Sequence, residues 1–213
     1  MSSPPVAAPL RTERLWLRPP AAGLAAALLD FHRRNVDHFA PWDPPMPAGF
    51  LSYASQAQRI EQARLAFGRG EAQRWWLCPL DQPRRIIGTL HLSQISRGVF
   101  HSAVLGYSLD QASVGQGLMS EALHAALGHA FSPALGLHRV QAAVRPENQR
   151  SLAVLARAGF ETIGLARDYL FIDGAWRDHL LLQRTHAGWP VPPAWRRPTD
   201  PPRPADKIGR AHF

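Results

Sequence analysis

Asp110-Gln-Ala-Ser-Val-Gly-Gln-Gly-Leu-Met-Ser-Glu-Ala-Leu123 is the stretch that decides the fold. A strand-like run, Ala103 to Leu109, precedes it, and a helix-like run, Leu118 to Phe131, follows. Gly115 and Gly117 lie between the two. A glycine turn feeding a helix start leaves several backbone N–H groups without an intrahelical partner, and the helix dipole adds partial positive charge there. The expected product is an anion site suited to a phosphate or pyrophosphate. Glycine is required because a side chain blocks close approach of the backbone and because such turns often use positive φ. The turn matches neither of two better-known phosphate loops. A dinucleotide fingerprint would place a third glycine at Ser120, and no Gly-Lys-Ser/Thr occurs. Taken alone, the Gly-x-Gly pair is equally consistent with an ordinary strand-to-helix turn.

Residues downstream break that tie. His138 to Arg145 reads as a buried strand, and Pro146-Glu-Asn-Gln-Arg-Ser151 opens a further helix that runs to Gly159-Phe160. This order resembles the core of the GNAT superfamily of N-acetyltransferases. Its glycine turn is Gln/Arg-x-x-Gly-x-Gly/Ala; here Val114 stands at the Gln/Arg position and Met119 at the last Gly/Ala position. Gly115 to Leu123 is similar to the RimJ/RimL-type branch, which acetylates ribosomal-protein N-termini. So are Leu10-Arg-Thr-Glu-Arg-Leu15, Ile87-Gly-Thr-Leu90, Asn148-x-x-Ser151, Ala158-Gly-Phe160 and Ala166-Arg-Asp-Tyr169. The resemblance covers about residues 10 to 185. It implies an α/β fold: a mixed, largely antiparallel twisted sheet flanked by helices, with an acetyl-CoA cleft where central strands splay.

Composition agrees with one such domain. The chain has 213 residues, 46% of them hydrophobic, which is enough for a sizeable core. No apolar run is long enough to span a membrane, and the N-terminus lacks the pattern of a signal peptide. Cys78 is the only cysteine, so an internal disulfide is excluded. It reads as a buried inert thiol, with a nucleophile role as the lesser alternative. No His/Cys cluster has zinc-site spacing, so no metal is expected. These features point to a reducing, cytoplasmic setting. Net charge is +8, and nearly all of it is arginine, since Lys207 is the only lysine. A basic surface suits coenzyme A, and equally RNA or a ribosome surface.

Residues 1–9 read as a loose arm, 10–186 as the acetyltransferase domain, and 187–213 as a Pro/Arg-rich tail in which a packed element is not expected. Trp189 and Trp195 in that tail either lie over the domain or reach a partner. Within the domain the patterns predict a strand at 14–18, a helix at 21–34, a loop at 36–50 and a helix at 51–70 capped by Ser52. Strands follow at 73–80, 85–95 and 102–109. After the glycine turn come helix 118–131, strand 138–145 and helix 148–158. A final hairpin, 160–172 with 176–183, turns at Asp173-Gly174.

The resemblance also implies roles. Acetyl-CoA is the cofactor. The backbone amides of Gln116, Gly117, Leu118, Met119 and Ser120 cradle its pyrophosphate, with Val114 and Gly115 leading in. Leu109 pairs with the pantetheine arm, and Tyr107 lies nearer the thioester. Asn148 and Ser151 share one helix face; Asn148 is a cofactor contact or a helix cap, and Ser151 is the candidate acid. The tyrosine that many relatives use as acid is replaced by Leu155. No acid stands on the strand before the turn, so the base is open, with His91, Asp168 and His179 as polar candidates. The acceptor groove is expected between the first two helices and the final hairpin, with Trp42, His91, Asp168 and Tyr169 around it. The acceptor is a protein N-terminus, ribosomal in that branch. The alternatives are a small amine and a domain that binds acyl-CoA without turnover. Docking of RNA or a ribosome through the basic tail is a further expectation.

Overall fold

The computed structural model describes residues 8–196. Eight strands form one sheet in the order β1-β2-β3-β4-β5-β6-β8-β7. They are β1 (Leu10–Arg11), β2 (Leu15–Arg18), β3 (Gln73–Pro79), β4 (Gly88–Ser96), β5 (Ser102–Leu109), β6 (Arg139–Val144), β7 (Glu161–Ile172) and β8 (Ala175–Thr185). Neighbours are antiparallel except β5 and β6. The α-helices among the described residues are α1 (Ala25–Arg34), α2 (Val36–Phe39), α3 (Tyr53–Gly68), α4 (Leu118–Phe131) and α5 (Gln149–Arg157).

Strand β3 explains why the sheet is covered on both faces. Successive side chains of a strand point to opposite sides. Trp75 and Leu77 enter a core with Leu123, Ala126 and Leu127 of α4, whereas Trp76 and Cys78 enter a second core with Leu28, Phe31 and Ile60 of α1 and α3. Both tryptophans are about 1% exposed, so neither face of β3 can be solvated. Fully burying one such aromatic is worth about 2–3 kcal/mol.

The feature that positions the site is a gap. Parallel pairing of β5 with β6 covers only Ser102↔Arg139, Ala103↔Val140 and Val104↔Gln141, whereas β5 stays paired with β4 as far as Leu109. From Leu105 onward one backbone edge of β5 therefore faces a cleft instead of a strand. Ser52 caps α3 as expected, accepting from Ser55 N at 3.2 Å. Asp173 and Gly174 both have positive φ, the geometry of a tight hairpin turn.

Some expectations need correction. β1, at one edge of the sheet, was not foreseen. The helix expected from Ala21 is 3₁₀ over Ala22–Leu24 before α1 begins. The expected loop 36–50 contains the helical turn α2, whose backbone bonds run from Phe39 and Ala40 back to Asn35 and Val36. The strand expected from Arg85 begins at Gly88. The described start of the tail packs on the domain: Trp189 Nε1 donates to Gly136 O at 3.0 Å, and its ring meets His101, His138 and Trp195. Its only helical element is the short 3₁₀ turn Pro193–Trp195. Residues 1–7 of the arm and 197–213 of the tail, with the RNA-docking expectation they carry, lie outside the described residues. No helix among the described residues is long and apolar enough to cross a membrane.

Candidate active site

Gly115 and Gly117 adopt φ of +79° and +75°, so a side chain at either would be strained. Gly117 is the N-cap of α4 and offers no side-chain cap. The first bond back to it comes from Glu121 N, at 3.1 Å, which leaves the amides of Leu118, Met119 and Ser120 free for a ligand. The turn is held from two sides. Arg14 donates to Gln116 O at 3.0 Å and pairs with Glu121 at 2.7 Å. Arg34 of α1 pairs with the buried Asp110 at 2.8 Å, and Asn35 Oδ1 accepts from Gln111 N at 2.9 Å.

This turn is one wall of a cavity of about 690 Å³. Leu109, Val114, Gly115, Gly117, Leu118, Met119 and Ser120 line it, while Gln116 does not; its carbonyl is turned to Arg14. Arg150 and Arg157 of α5 also line it, and neither has an ion-pair partner among the described residues. Sequence reading missed both. The free amides, the positive-φ glycines and the two arginines fit a phosphate-bearing ligand with a long arm.

A second cavity, about 790 Å³, opens on the face of the sheet that carries α1 and α3. The two cavities share Trp42, Asp43, Tyr107, Ser108, Asn148 and Ser151. Tyr107 Oη lies 2.7 Å from Ser151 Oγ and donates to Ser151 O at 3.2 Å. Burial pushes the Tyr107 hydroxyl up to about 12, against the opposing bond from Ser151, so it holds its proton. Asn148 caps α5, its Oδ1 accepting from Ser151 N at 3.1 Å, and this fixes where Ser151 stands. Leu155 is fully buried in the core and reaches neither cavity.

Asp43 is the carboxylate at this junction, and sequence reading missed it. The mark it leaves in the sequence is that no other carboxylate occurs between Asp37 and Glu61, across an aromatic, proline-rich loop. Burial pushes its carboxyl up to about 6, against the pull of Arg59. The loop is anchored by Arg145, which donates to Pro41 O at 2.6 Å and stacks over Trp42 with 5.5 Å to the ring centre. His91 lines the second cavity, but burial, then Arg74 and Arg59, lowers its imidazole to about 3. It is neutral at neutral pH and a poor base. His179 is buried there, with Nδ1 against Arg177 O. Asp168 and Tyr169 line neither cavity: Asp168 N donates to Asp178, and the Tyr169 ring lies 5.5 Å from that of His179. Cys78 is buried in the second core, its thiol pushed up by burial to about 11, and does not line either cavity.

Residues 14–161 match the acetyltransferase (GNAT) domain family. The chain belongs to the GNAT acetyltransferases. It is 37% identical over 180 residues, 84% of this chain and 92% of the other, to the [ribosomal protein uS5]-alanine N-acetyltransferase of Escherichia coli K12. The crystal structure of the ribosomal-protein-S5-alanine acetyltransferase from Vibrio fischeri superimposes with a TM-score of 0.82 at 33% identity, covering 86% of this chain and all of that one. RimJ of Mycobacterium smegmatis in complex with CoA-disulfide gives 0.77 at 34% identity, covering 85% and 88%. This GNAT protein is therefore an acyltransferase related to the ribosomal-protein N-acetyltransferases, and it uses acetyl-CoA.

Proposed function

We propose that this acetyltransferase modifies the N-terminal α-amine of a protein, with a ribosomal protein as the acceptor its relatives point to. One observation carries the reading: two cavities meet at a half-buried carboxylate, Asp43, and a hydrogen-bonded hydroxyl pair, Tyr107 and Ser151. Acetyl-CoA supplies the acetyl group as a thioester and departs as a thiol. The amides of Leu118, Met119 and Ser120, with Arg150 and Arg157, hold its phosphates, and the free edge of β5 aligns its arm. An N–H on that edge is the donor toward the carbonyl oxygen as charge develops.

Asp43 takes the proton from the amine. An α-amine has a pKa of about 8, and a base near 6 suffices for it; a lysine amine, near about 10.4, is a far harder target. Ser151 Oγ holds a proton where the leaving sulfur needs one, and Tyr107 Oη shares it. Asn148 positions Ser151 through the α5 cap. Trp42 forms the wall that both cavities use.

The test is thiol release with acetyl-CoA against peptides bearing free Ala or Ser N-termini and against a panel of small amines. Peptide-dependent turnover, with the acetyl group on the α-amine, is expected. Turnover confined to small amines refutes the reading.

A further inference from the structure

Gly106, His91 and Arg74 are register partners across β5, β4 and β3. Partners in register share a face. Here it is the face that carries α1 and α3, because Trp76, two residues beyond Arg74, packs with Leu28 and Ile60. A Cβ on Gly106 would fall 2.4 Å from His91 Cε1, so only glycine leaves the imidazole lying across the β5 backbone. Arg59 enters the same cavity from α3, its guanidinium 4.3 Å from the centre of the Phe50 ring.

The charge in this cavity is unbalanced. Among the described residues its cations are Arg59, Arg74 and Arg145, and its single carboxylate is Asp43. Arg145 is paired with Glu147. Arg74 has no hydrogen-bond or ion-pair partner among the described residues, and Arg59 has only the Phe50 ring and the charge of Asp43. The two guanidiniums repel each other: burial, then Arg59, lowers Arg74 to about 10. His32 Nδ1 and Nε2 and His91 Nδ1 are buried in the same wall without hydrogen-bond partners among the described residues. Partly desolvated cations of like sign are costly unless an anion joins them. Arginine's planar fork matches a carboxylate with two parallel bonds.

We infer that Arg59 and Arg74 form a carboxylate-binding subsite of the acceptor cavity, and that the acceptor is a peptide with an Asp or Glu side chain one or two residues behind its N-terminal amine. This rests on the peptide reading above. Adjacent strands lie about 4.8 Å apart, so two steps along the row from Gly106 to Arg74 cover roughly 10 Å. An extended peptide advances about 3.5 Å per residue, and the acidic side chain covers the remainder.

The experiment measures kcat/KM of the full chain with C-terminally amidated peptides that begin Ala-Glu, Ala-Gln or Ala-Lys, and with free L-glutamate and L-alanine. The wild type prefers the Glu peptide over the Gln peptide by about tenfold or more, and the Lys peptide is poorest. Arg74→Gln and Arg59→Gln bring the Glu/Gln ratio toward one. Arg74→Glu shifts the preference toward the Lys peptide, an outcome that misfolding does not produce. Equal kcat/KM for the Glu and Gln peptides overturns the subsite and leaves N-terminal acetylation standing. A Glu/Gln ratio undiminished in both arginine variants does the same. Free amino acids outperforming every peptide assigns the cations to an α-carboxylate, and overturns this proposal together with the peptide reading.

Discussion

The two cavities are built from different materials. The cavity proposed for the cofactor is largely backbone: three free amides at the start of α4, two positive-φ glycines and the unpaired edge of β5. The cavity proposed for the acceptor is side chains drawn from α1, the 41–50 loop, α3, α5 and five strands. A backbone site serves one ligand common to a whole family, because every chain has amides. A side-chain site can be rewritten residue by residue without disturbing the sheet. The chemistry proposed here sits at the seam between them, with Asp43 on the loop, Tyr107 on β5 and Ser151 on α5.

The largest effect expected separates the seam from both cavities. Asp43→Asn lowers kcat/KM for a peptide about 10²- to 10³-fold, while acetyl-CoA binding by calorimetry is unchanged. The pH profile sharpens this. Burial raises Asp43 to about 6, so the base is lost as pH falls through that value. The wild-type profile therefore drops below about pH 6, and the variant lacks that limb.

Next comes the backbone site. Gly117 sits at φ +75°, and a β-branched residue there is strained by about 1–3 kcal/mol. Gly117→Val weakens acetyl-CoA binding about 10- to 100-fold by calorimetry. Unchanged affinity would show that the turn is not what holds the cofactor.

A smaller effect tests the hydroxyl pair. Ser151→Ala and Tyr107→Phe each lower kcat about tenfold. Because they share one 2.7 Å bond, the double variant loses less than the product of the two. Simple multiplication would mean that the hydroxyls act separately.

The smallest effect is on stability. Burial lowers His32 to about 4 and His91 to about 3, both below the ordinary histidine value of 6.5. The unfolded chain then binds more protons, so this contribution is present above about pH 6.5 and is lost as pH falls toward 4. Asp43, raised to about 6, works in the opposite direction between about 4 and 6 and offsets part of it. Urea midpoints should correspond to a net loss of roughly 1–3 kcal/mol between pH 6.5 and 4.5. The loss should be smaller in His91→Asn.

The same contrast explains what was legible in the sequence. The glycine turn, the α4 start, the Asn148 cap, the Ser52 cap and the Asp173-Gly174 hairpin are local events, each set by a few adjacent residues. They placed these elements, and the fold and the cofactor followed from the family resemblance that several such motifs carry together. Arg59, Arg74, Asp43 and His91 come together only through strand register and helix docking, which no short window encodes. Asp168 and Tyr169 drew attention as part of a family-like hairpin motif, yet β7 carries them outside both cavities. Tyr107 and Ser151 are 44 positions apart in sequence, and their bond exists because β5 and α5 flank the same gap. β1 and α2 were missed because a two-residue strand and a four-residue helical turn are too short to show a period.

The most direct test of the central claim locates the acetyl group. The protein is incubated with acetyl-CoA and a peptide that carries both a free N-terminal alanine and an internal lysine, and the product is mapped by fragment mass. Acetyl on the α-amine, with its rate falling below about pH 6, is the predicted result. Acetyl on the lysine side chain alone, or no peptide product beside rapid turnover of small amines, would contradict it.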